Sequence, residues 1–260
     1  MNKGISFYFG YKTDINERTK SIKNSGLNCV MTNADNKFKK DNGTIKQQMK
    51  LFKKYNLKVT SLHMQYNSWE LPYFWKKGIK GFKLFKRLVK DIKLANKYGF
   101  LCVVVHLKGE LSDIGLKRFN KVLKICDKFN VDIAIENVDS PLFKYVLDNI
   151  NHKHLKFCYD TGHNHCIDND EPYLEKYLDK LICLHLHDNL GNGDSHALNK
   201  YGDFNWDNFA RILAKADQEI SLDYEILYKF ENSPEEVLNI VYNQACELEN
   251  LILKYKNKKA

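Results

Sequence analysis

Short apolar runs alternate along the whole chain with longer stretches that carry apolar residues at helical spacing. The run at 101–106, Leu-Cys-Val-Val-Val-His, is typical of a parallel strand covered on both faces, because no polar residue interrupts it before its end. The pattern predicts eight strands, at 5–10, 29–32, 57–64, 101–106, 131–136, 155–160, 181–186 and 220–225.

Helical segments are predicted between these runs from their caps and their periodicity. Asp14 is a candidate N-cap for the first helix and Gly26 closes it, while Ser233 and Pro234 begin the last one. The aromatic segment at 66–75 is predicted to be a loop, because Pro72 interrupts any helix there. The predicted helices span 14–23, 44–55, 82–98, 114–129, 141–150, 172–180, 206–216 and 233–255.

Eight strands that alternate with eight helices indicate an α/β protein and predict a single (β/α)8 TIM barrel over residues 1–260. The alternative is an open doubly wound sheet, which needs a glycine-rich phosphate-binding turn between a strand and a helix. The Gly-Asn-Gly at 191–193 does not fit that role, because a segment with aspartate and histidine follows it instead of a helix. We therefore expect the barrel.

Composition and charge narrow the class of protein. The hydrophobic fraction of 43% is enough for a core, no apolar run is long enough to cross a membrane, and the amino-terminal residues do not resemble a signal peptide. We expect a cytoplasmic protein with no membrane partner. The seven cysteines are odd in number and include no Cys-x-x-Cys pair, so no disulfide framework is expected.

The formal charge of +9 has two interpretations. A polyanionic partner such as nucleic acid would explain it. However, the lysines are scattered over the predicted helices and are not gathered on one stripe, which favours a general bias of composition.

Polar side chains that can bind a metal stand at the carboxyl ends of six predicted strands, which converge on one mouth in a barrel. The stretch at 182–206 is the richest, with His185, His187, Asp188, Asp194 and His196 inside twelve positions. Imidazole and carboxylate groups suit zinc or manganese, and burying them is costly unless something binds them. The predicted metal-binding residues are His63, His106, Glu136, Asp160, His163, His185, Asp194, His196 and Glu225.

Single members of this set also have an ordinary structural explanation. His63 or His106 alone would be a hydrogen-bonded core histidine, and Asp160 with His163 could merely cap the next segment. It is harder to explain in that way why six successive predicted strands each end in a residue that can bind a metal. We therefore expect a divalent metal, as one to three ions.

Three short motifs lie among these positions: Ile-Glu-Asn at 135–137, Asp-Thr-Gly-His at 160–163, and His-Leu-His-Asp-Asn at 185–189 followed by Asp-Ser-His at 194–196. Together they resemble the xylose isomerase-like TIM-barrel superfamily, which contains sugar and sugar phosphate isomerases and epimerases and also endonuclease IV. Gly202 and Trp206 continue the third motif, with Asn205 at the family's acidic position.

The resemblance implies roles for these residues. Glu136, Asp160, His185 and Glu225 would hold the principal ion. His63, His106, Asp194 and His196 would hold further ions, and His163 would contact the substrate or another ion. Glu136 and Glu225 would be the catalytic residues of a metal-dependent isomerase or epimerase that moves a proton through a metal-stabilised enediolate. The substrate-contacting residues are expected to be His163, Tyr66, Trp69 and His187.

Two other functions stay open. The full set of metal-binding residue types is also compatible with the three zinc ions of an endonuclease IV-like phosphodiesterase acting at apurinic sites. A barrel that kept the pocket but lost its chemistry is the third possibility. The loops after Glu136 and Glu225 are short and poor in arginine, so we favour a small carbohydrate substrate over nucleic acid. The sequence leaves the oligomeric state open.

Overall fold

The computed structural model describes residues 1–34, 39–64, 67–138, 141–168, 170–227 and 233–258. Its eight strands are β1 Lys3–Ser6, β2 Cys29–Asn33, β3 Lys58–His63, β4 Cys102–Val105, β5 Asp132–Glu136, β6 Leu155–Asp160, β7 Leu181–His185 and β8 Leu222–Tyr224. They form one parallel sheet in the order β7-β6-β5-β4-β3-β2-β1-β8.

The sheet closes on itself between β7 and β8. Leu186 donates its amide N–H to the Asp223 carbonyl at 2.8 Å, and the Glu225 amide donates to the Leu186 carbonyl at 2.9 Å. The predicted single (β/α)8 barrel is therefore confirmed, and each strand ends at the same mouth.

The helices lie between the strands. They are α1 Ile15–Asn24, α2 Lys39–Asn42, α3 Ile45–Lys54, α4 Ile79–Tyr98, α5 Asp113–Phe129, α6 Pro141–Asn149, α7 Thr161–Cys166, α8 Tyr173–Lys176, α9 Trp206–Leu213 and α10 Pro234–Asn257, with short 3-10 helices at Leu71–Trp75, Leu178–Lys180 and Asn199–Tyr201. Asp14 caps α1 as predicted, and Thr44 forms a capping box with Gln47 on α3. No described helix is long and apolar enough to span a membrane.

Several predicted boundaries were wrong. The first strand was expected at 5–10 but lies at Lys3–Ser6, because its register is set by Cys29 on one side and Leu222 on the other. Phe7, which follows this strand, is apolar because it packs in the core. Its ring meets the ring of Phe52 edge-on, with the centroids 5.0 Å apart.

The segment before α4 was expected to be an open loop with Pro72 as a breaker. Pro72 instead occupies an early position of the 3-10 helix Leu71–Trp75, where the missing N–H of proline costs nothing. The predicted helix at 172–180 is divided into α8 and a 3-10 turn, and α7 was not predicted because six residues give too little periodicity.

Small residues fill the barrel interior below the mouth. Cys102, Cys158 and Cys183 are buried there with Ala134, and the Sγ atoms of Cys102 and Cys183 are 3.6 Å apart. All seven cysteines are free thiols. At Gly4 even a methyl group would not fit, because a Cβ there would lie 2.1 Å from Asp223 Oδ1.

We predict that Gly4→Ala lowers the free energy of unfolding by about 1–3 kcal/mol, since the added methyl group overpacks the interior. Gly193→Ala is the matched control, because a Cβ at Gly193 meets no described heavy atom within 4 Å. It should change stability by no more than about 0.5 kcal/mol. Chemical denaturation of both variants measures the difference. Equal stabilities would contradict the close packing at Gly4.

Candidate metal centre

A cavity of about 470 Å³ opens at the carboxyl ends of the strands. One part of its wall is uncharged and consists of Ser6, Tyr8, Asn33, Met64, Asn67, Ser68, Trp69 and Leu227. The other part contains seven of the nine predicted metal-binding residues: His63, His106, Glu136, His163, Asp194, His196 and Glu225. The remaining two, Asp160 and His185, are buried. The structure thus brings all nine residues together at the mouth.

The first group of ligand atoms surrounds Glu136, whose carboxylate is 1% exposed. Glu136 Oε2 lies 2.9 Å from His106 Nε2 and 3.3 Å from His63 Nε2. The other ring nitrogen of His63, Nδ1, lies 3.1 Å from the Met64 carbonyl. A carbonyl can only accept, so Nδ1 carries the proton and Nε2 presents its lone pair to the group.

The second group is centred on His185. Its Nδ1 lies 3.0 Å from Glu225 Oε2, 3.3 Å from Glu136 Oε2 and 3.9 Å from Asp160 Oδ2. Two carboxylates at the ends of β5 and β6 and one directly after β8 therefore face one imidazole nitrogen. The closing of the barrel brings Glu225 into this group, since it follows the last strand.

The third group is carried by the loop after β7. Asp194 Oδ2 lies 3.3 Å from His163 Nε2 and 3.2 Å from His196 Nε2. His196 Nδ1 is 2.9 Å from the Glu225 carbonyl and donates to it, so the ring is held with Nε2 facing Asp194. His163 also connects to the first group, because its Nδ1 is 3.1 Å from Glu136 Oε1.

His187 is wholly buried beneath the third group, and the residues that line the cavity do not include it. Its ring stacks on that of His196 with centroids 4.1 Å apart, and its Nε2 lies 3.0 Å from Asp160 Oδ1. A Cβ at Gly162 would lie 1.9 Å from the His187 ring, so only glycine allows this position. His187 is thereby placed to orient Asp160.

Asp160 also caps α7, which is the ordinary structural role that the sequence allowed for this residue. Its Oδ1 accepts from the His163 amide at 2.7 Å, while its Oδ2 faces His187 at 3.1 Å. One carboxylate therefore both starts a helix and faces the cluster. Capping alone would not require the surrounding imidazoles.

The cluster fits a bound cation on the chemistry of its donors. Glu136 Oε2, His163 Nδ1 and both ring nitrogens of His185 are buried and lack a hydrogen bond of proper geometry within the described part of the chain. These atoms lie close to other potential metal ligands, but not in the geometry of a hydrogen bond. Ligands that surround a common ion are arranged in this way. Ligand atoms of described residues lie within 4.8 Å of one another in five overlapping sets, and three of these sets share no residue: His63–His106–Glu136, Asp160–His185–Glu225 and His187–Asp194–His196.

The charges of the cluster depend on one another. Burial alone would raise the pKa of Glu136, but His106 and His185 hold it well below its usual range. Burial would lower the pKa of His185, but Glu225 and Glu136 raise it well above its usual range. Against its burial, hydrogen bonding to Asp194 raises the pKa of His196 to about 9. Protonated imidazoles and a metal ion are thus alternative partners for the same carboxylates.

Asn137 positions Asp160, and its role was not recognised from the sequence. Its Nδ2 donates to the Asp160 carbonyl at 2.9 Å, and its Oδ1 accepts from the Asp160 amide at 2.7 Å. The only signal was its place directly after Glu136 in a recognised motif.

Asp188 lies in the histidine-rich stretch but outside the cluster. It accepts from Trp206 Nε1 at 2.6 Å and from the Phe204 amide at 3.0 Å, and a Cβ at Gly202 would lie 2.0 Å from its Oδ1. These contacts close the loop that carries Asp194. The match of Gly202 and Trp206 to the family motif was the sequence signal for these contacts.

The residues expected to contact the substrate are placed differently from one another. Trp69 stands at the cavity and is 64% exposed, and His163 lines the cavity wall. His187 is buried, as described above. Tyr66 lies outside the described residues.

Comparison with known families gives a consistent picture. A family model described as Xylose isomerase-like TIM barrel matches residues 20–239. A protein of Methanocaldococcus jannaschii described as uncharacterized is 32% identical over 132 residues, covering 48% of this chain and 51% of that protein. A protein described as Probable endonuclease 4, from Mycoplasma capricolum subsp. capricolum, is 27% identical over 158 residues, or 50% and 55% of the two chains. The alignments thus span about half the length of these curated relatives.

Solved structures share the whole fold. One described as a D-tagatose 3-epimerase-like protein aligns with 100% of this chain and 99% of its own, with a TM-score of 0.75 at 17% identity. A 3-keto-D-glucoside 4-epimerase from E. coli aligns over 95% and 99%, with a TM-score of 0.72 at 15% identity. The IOLI protein with a binding zinc atom aligns over 98% and 99%, with a TM-score of 0.71 at 14% identity. At these identities the likeness concerns the fold.

We predict that Glu136→Gln or His185→Ala removes bound zinc or manganese. Each change deletes a metal ligand from the buried cluster, and the remaining ligands hold the ion less tightly. Elemental analysis after dialysis against each ion measures the metal content. Glu175→Gln is the matched control, since Glu175 is exposed and pairs with Lys215. Unchanged metal content in the two centre variants would refute the assignment.

Proposed function

Because the chain belongs to the xylose isomerase-like TIM-barrel family, we propose that it is a divalent-metal-dependent isomerase or epimerase of a small carbohydrate. The observation that carries this proposal is the pair of glutamates at the cavity. Glu136 Oε2 and Glu225 Oε2 lie 3.3 and 3.0 Å from the same nitrogen of His185, and both side chains line the cavity. Two carboxylates can therefore reach a substrate held above His185.

Both glutamates are held in the ionised form. Burial would raise the pKa of Glu225, but His185 and His196 keep it far below its usual range, and Glu136 is held low in the same way. An ionised carboxylate can remove a carbon-bound proton, and its conjugate acid can return the proton to the substrate. An ion bound by the cluster would polarise neighbouring carbonyl and hydroxyl oxygens of the substrate and stabilise the enediolate charge.

The uncharged part of the cavity wall suits an uncharged polyhydroxy compound. Among the described residues that line the cavity there is no lysine or arginine. Ser6, Asn33 and Asn67 offer hydroxyl and amide groups for hydrogen bonds with sugar hydroxyls. The exposed indole of Trp69 provides a flat apolar face at the entrance, on which a sugar ring can rest. We therefore infer an unphosphorylated substrate.

Solvent proton exchange tests the proposed reaction. We expect the metal-loaded enzyme to exchange a carbon-bound proton of at least one ketose for deuterium in deuterated water, measured by NMR across a panel of ketoses. Glu136→Gln and Glu225→Gln should each slow the exchange by about 10²–10⁴-fold, because each removes a proton-transfer group. Glu175→Gln is again the control. Absence of exchange with every panel member would refute the proposal.

Turnover of each ketose and of its phosphorylated form tests the inference that the substrate is unphosphorylated. For each active ketose, the phosphorylated form should have a lower kcat/KM than the free sugar, because the described wall offers no cation to its phosphate. The comparison is repeated at two ionic strengths, since attraction between exposed charges weakens with salt. A consistent preference for the phosphorylated form would overturn the inference.

The three ligand sets favour one second candidate, a zinc-dependent phosphodiesterase acting at apurinic sites. Each set has the imidazole and carboxylate groups that zinc prefers, and several ions close together can activate water and stabilise a leaving oxygen. Metal-dependent nicking of DNA that contains an abasic site, without proton exchange on any ketose, would establish this function instead.

A further inference from the structure

Two histidines do not belong to the mouth. His152 and His154 lie in the turn between α6 and β6, at the amino ends of the strands and therefore at the opposite end of the barrel. Asp127, in the last turn of α5, and Asp132, the first residue of β5, meet them there. The proposed catalytic chemistry uses none of these four residues.

His154 is already oriented as metal-binding histidines usually are. Its Nδ1 lies 2.7 Å from Asp132 Oδ1, and because a carboxylate accepts, Nδ1 carries a proton. Only 8% of the side chain is exposed, and within the described residues its Nε2 is buried without a hydrogen bond. A ligand histidine typically donates its second ring nitrogen to a carboxylate in this manner.

Asp127 stands opposite that unused nitrogen. Its Oδ1 is 3.8 Å from His154 Nε2, too far for a hydrogen bond, and its Oδ2 is 3.1 Å from His152 Nε2. The side chain of Asp127 is 41% exposed, so an ion can enter from solvent. Lys153 now reaches Asp127 Oδ1 at 3.4 Å, but its side chain is 71% exposed and is free to swing away.

We propose that Asp127, His152 and His154 form a second cation site, separate from the mouth, for zinc or a similar borderline divalent ion. Two imidazoles and one carboxylate, completed by water, are a common donor set for such ions. Asp132 orients His154 from behind. The site would join the end of α5 to the start of β6 and so stabilise the closed end of the barrel.

Besides the departure of Lys153 from Asp127, binding requires His152 to move. His152 Nδ1 now accepts the His154 amide at 3.2 Å, whereas a neutral His152 that coordinates through Nε2 must carry its proton on Nδ1. The ring must therefore turn toward His154, whose ring centroid is 6.0 Å away. This movement breaks the hydrogen bond between the His154 amide and His152 Nδ1 and allows His152 Nε2 to bind the metal.

Zinc stoichiometry in four single variants tests the site. Asp127→Asn and His152→Ala leave the buried His154–Asp132 pair intact, and each should bind one zinc ion per chain fewer than the unchanged protein after equilibrium dialysis. Glu136→Gln should lose zinc at the mouth and keep this ion. Asp148→Asn is the matched control, because Asp148 is 39% exposed and pairs with Lys176 at 2.9 Å. It should lose none.

A second measurement locates the ion directly and does not depend on the total number of ions bound per chain. Cobalt added to isotope-labelled Glu136→Gln protein should broaden the amide signals of residues 126–133 and 150–156, and Asp127→Asn introduced into that protein should abolish the broadening. If Asp127→Asn and His152→Ala bind as much zinc as the unchanged protein, or if these signals stay sharp, the four residues are an ion-pair network only and the proposal is wrong. Neither result depends on the activity at the mouth.

Discussion

The buried carboxylate of Glu136 is the constraint on which the rest of the mouth depends. An ionised carboxylate that is 1% exposed is costly unless positive charge or donors surround it. Here the surrounding groups are imidazoles from four other segments, among them His63, His106 and His185. No local stretch of chain could supply them, so the site exists only when the barrel is closed. The chemistry and the fold therefore depend on the same strand register.

That register also explains the small residues below the site. Glu136 pairs with Cys158 across β5 and β6, and Asp160 pairs with His185 across β6 and β7. Side chains two residues apart on a strand point to the same face, so each polar residue at the mouth stands above an interior residue such as Ala134 or Cys183. Small side chains there fill the narrow interior without forcing the strand ends apart.

Much of the fold and of the candidate site could be read from the sequence, because both depend on short-range patterns. Alternation of apolar runs and helical periods predicted the barrel. Polar residues at six strand ends predicted six members of the cluster, and the motifs that follow the sixth and seventh strands added His163, Asp194 and His196. What could not be read depends on contacts between distant segments. The bonds of Asp188 to Trp206 and of Asn137 to Asp160 have no periodic signature. The burial of His187 needs the open space at Gly162, twenty-five positions earlier.

The number of divalent ions that the mouth holds would set its net charge, and this charge bears on the two functions proposed above. Four carboxylates, those of Glu136, Asp160, Asp194 and Glu225, converge there, and the described cavity wall adds no lysine or arginine. With neutral imidazoles, one divalent ion leaves a net charge of about −2, which repels a phosphate but tolerates an uncharged sugar. Three divalent ions reverse the net charge to about +2, which attracts a phosphodiester. Protonated imidazoles shift this balance in the same direction as added ions, since they occupy the same carboxylates. Under the functions proposed above, occupancy of the sets His63–His106–Glu136 and His187–Asp194–His196 would therefore separate a carbohydrate substrate from a nucleic acid.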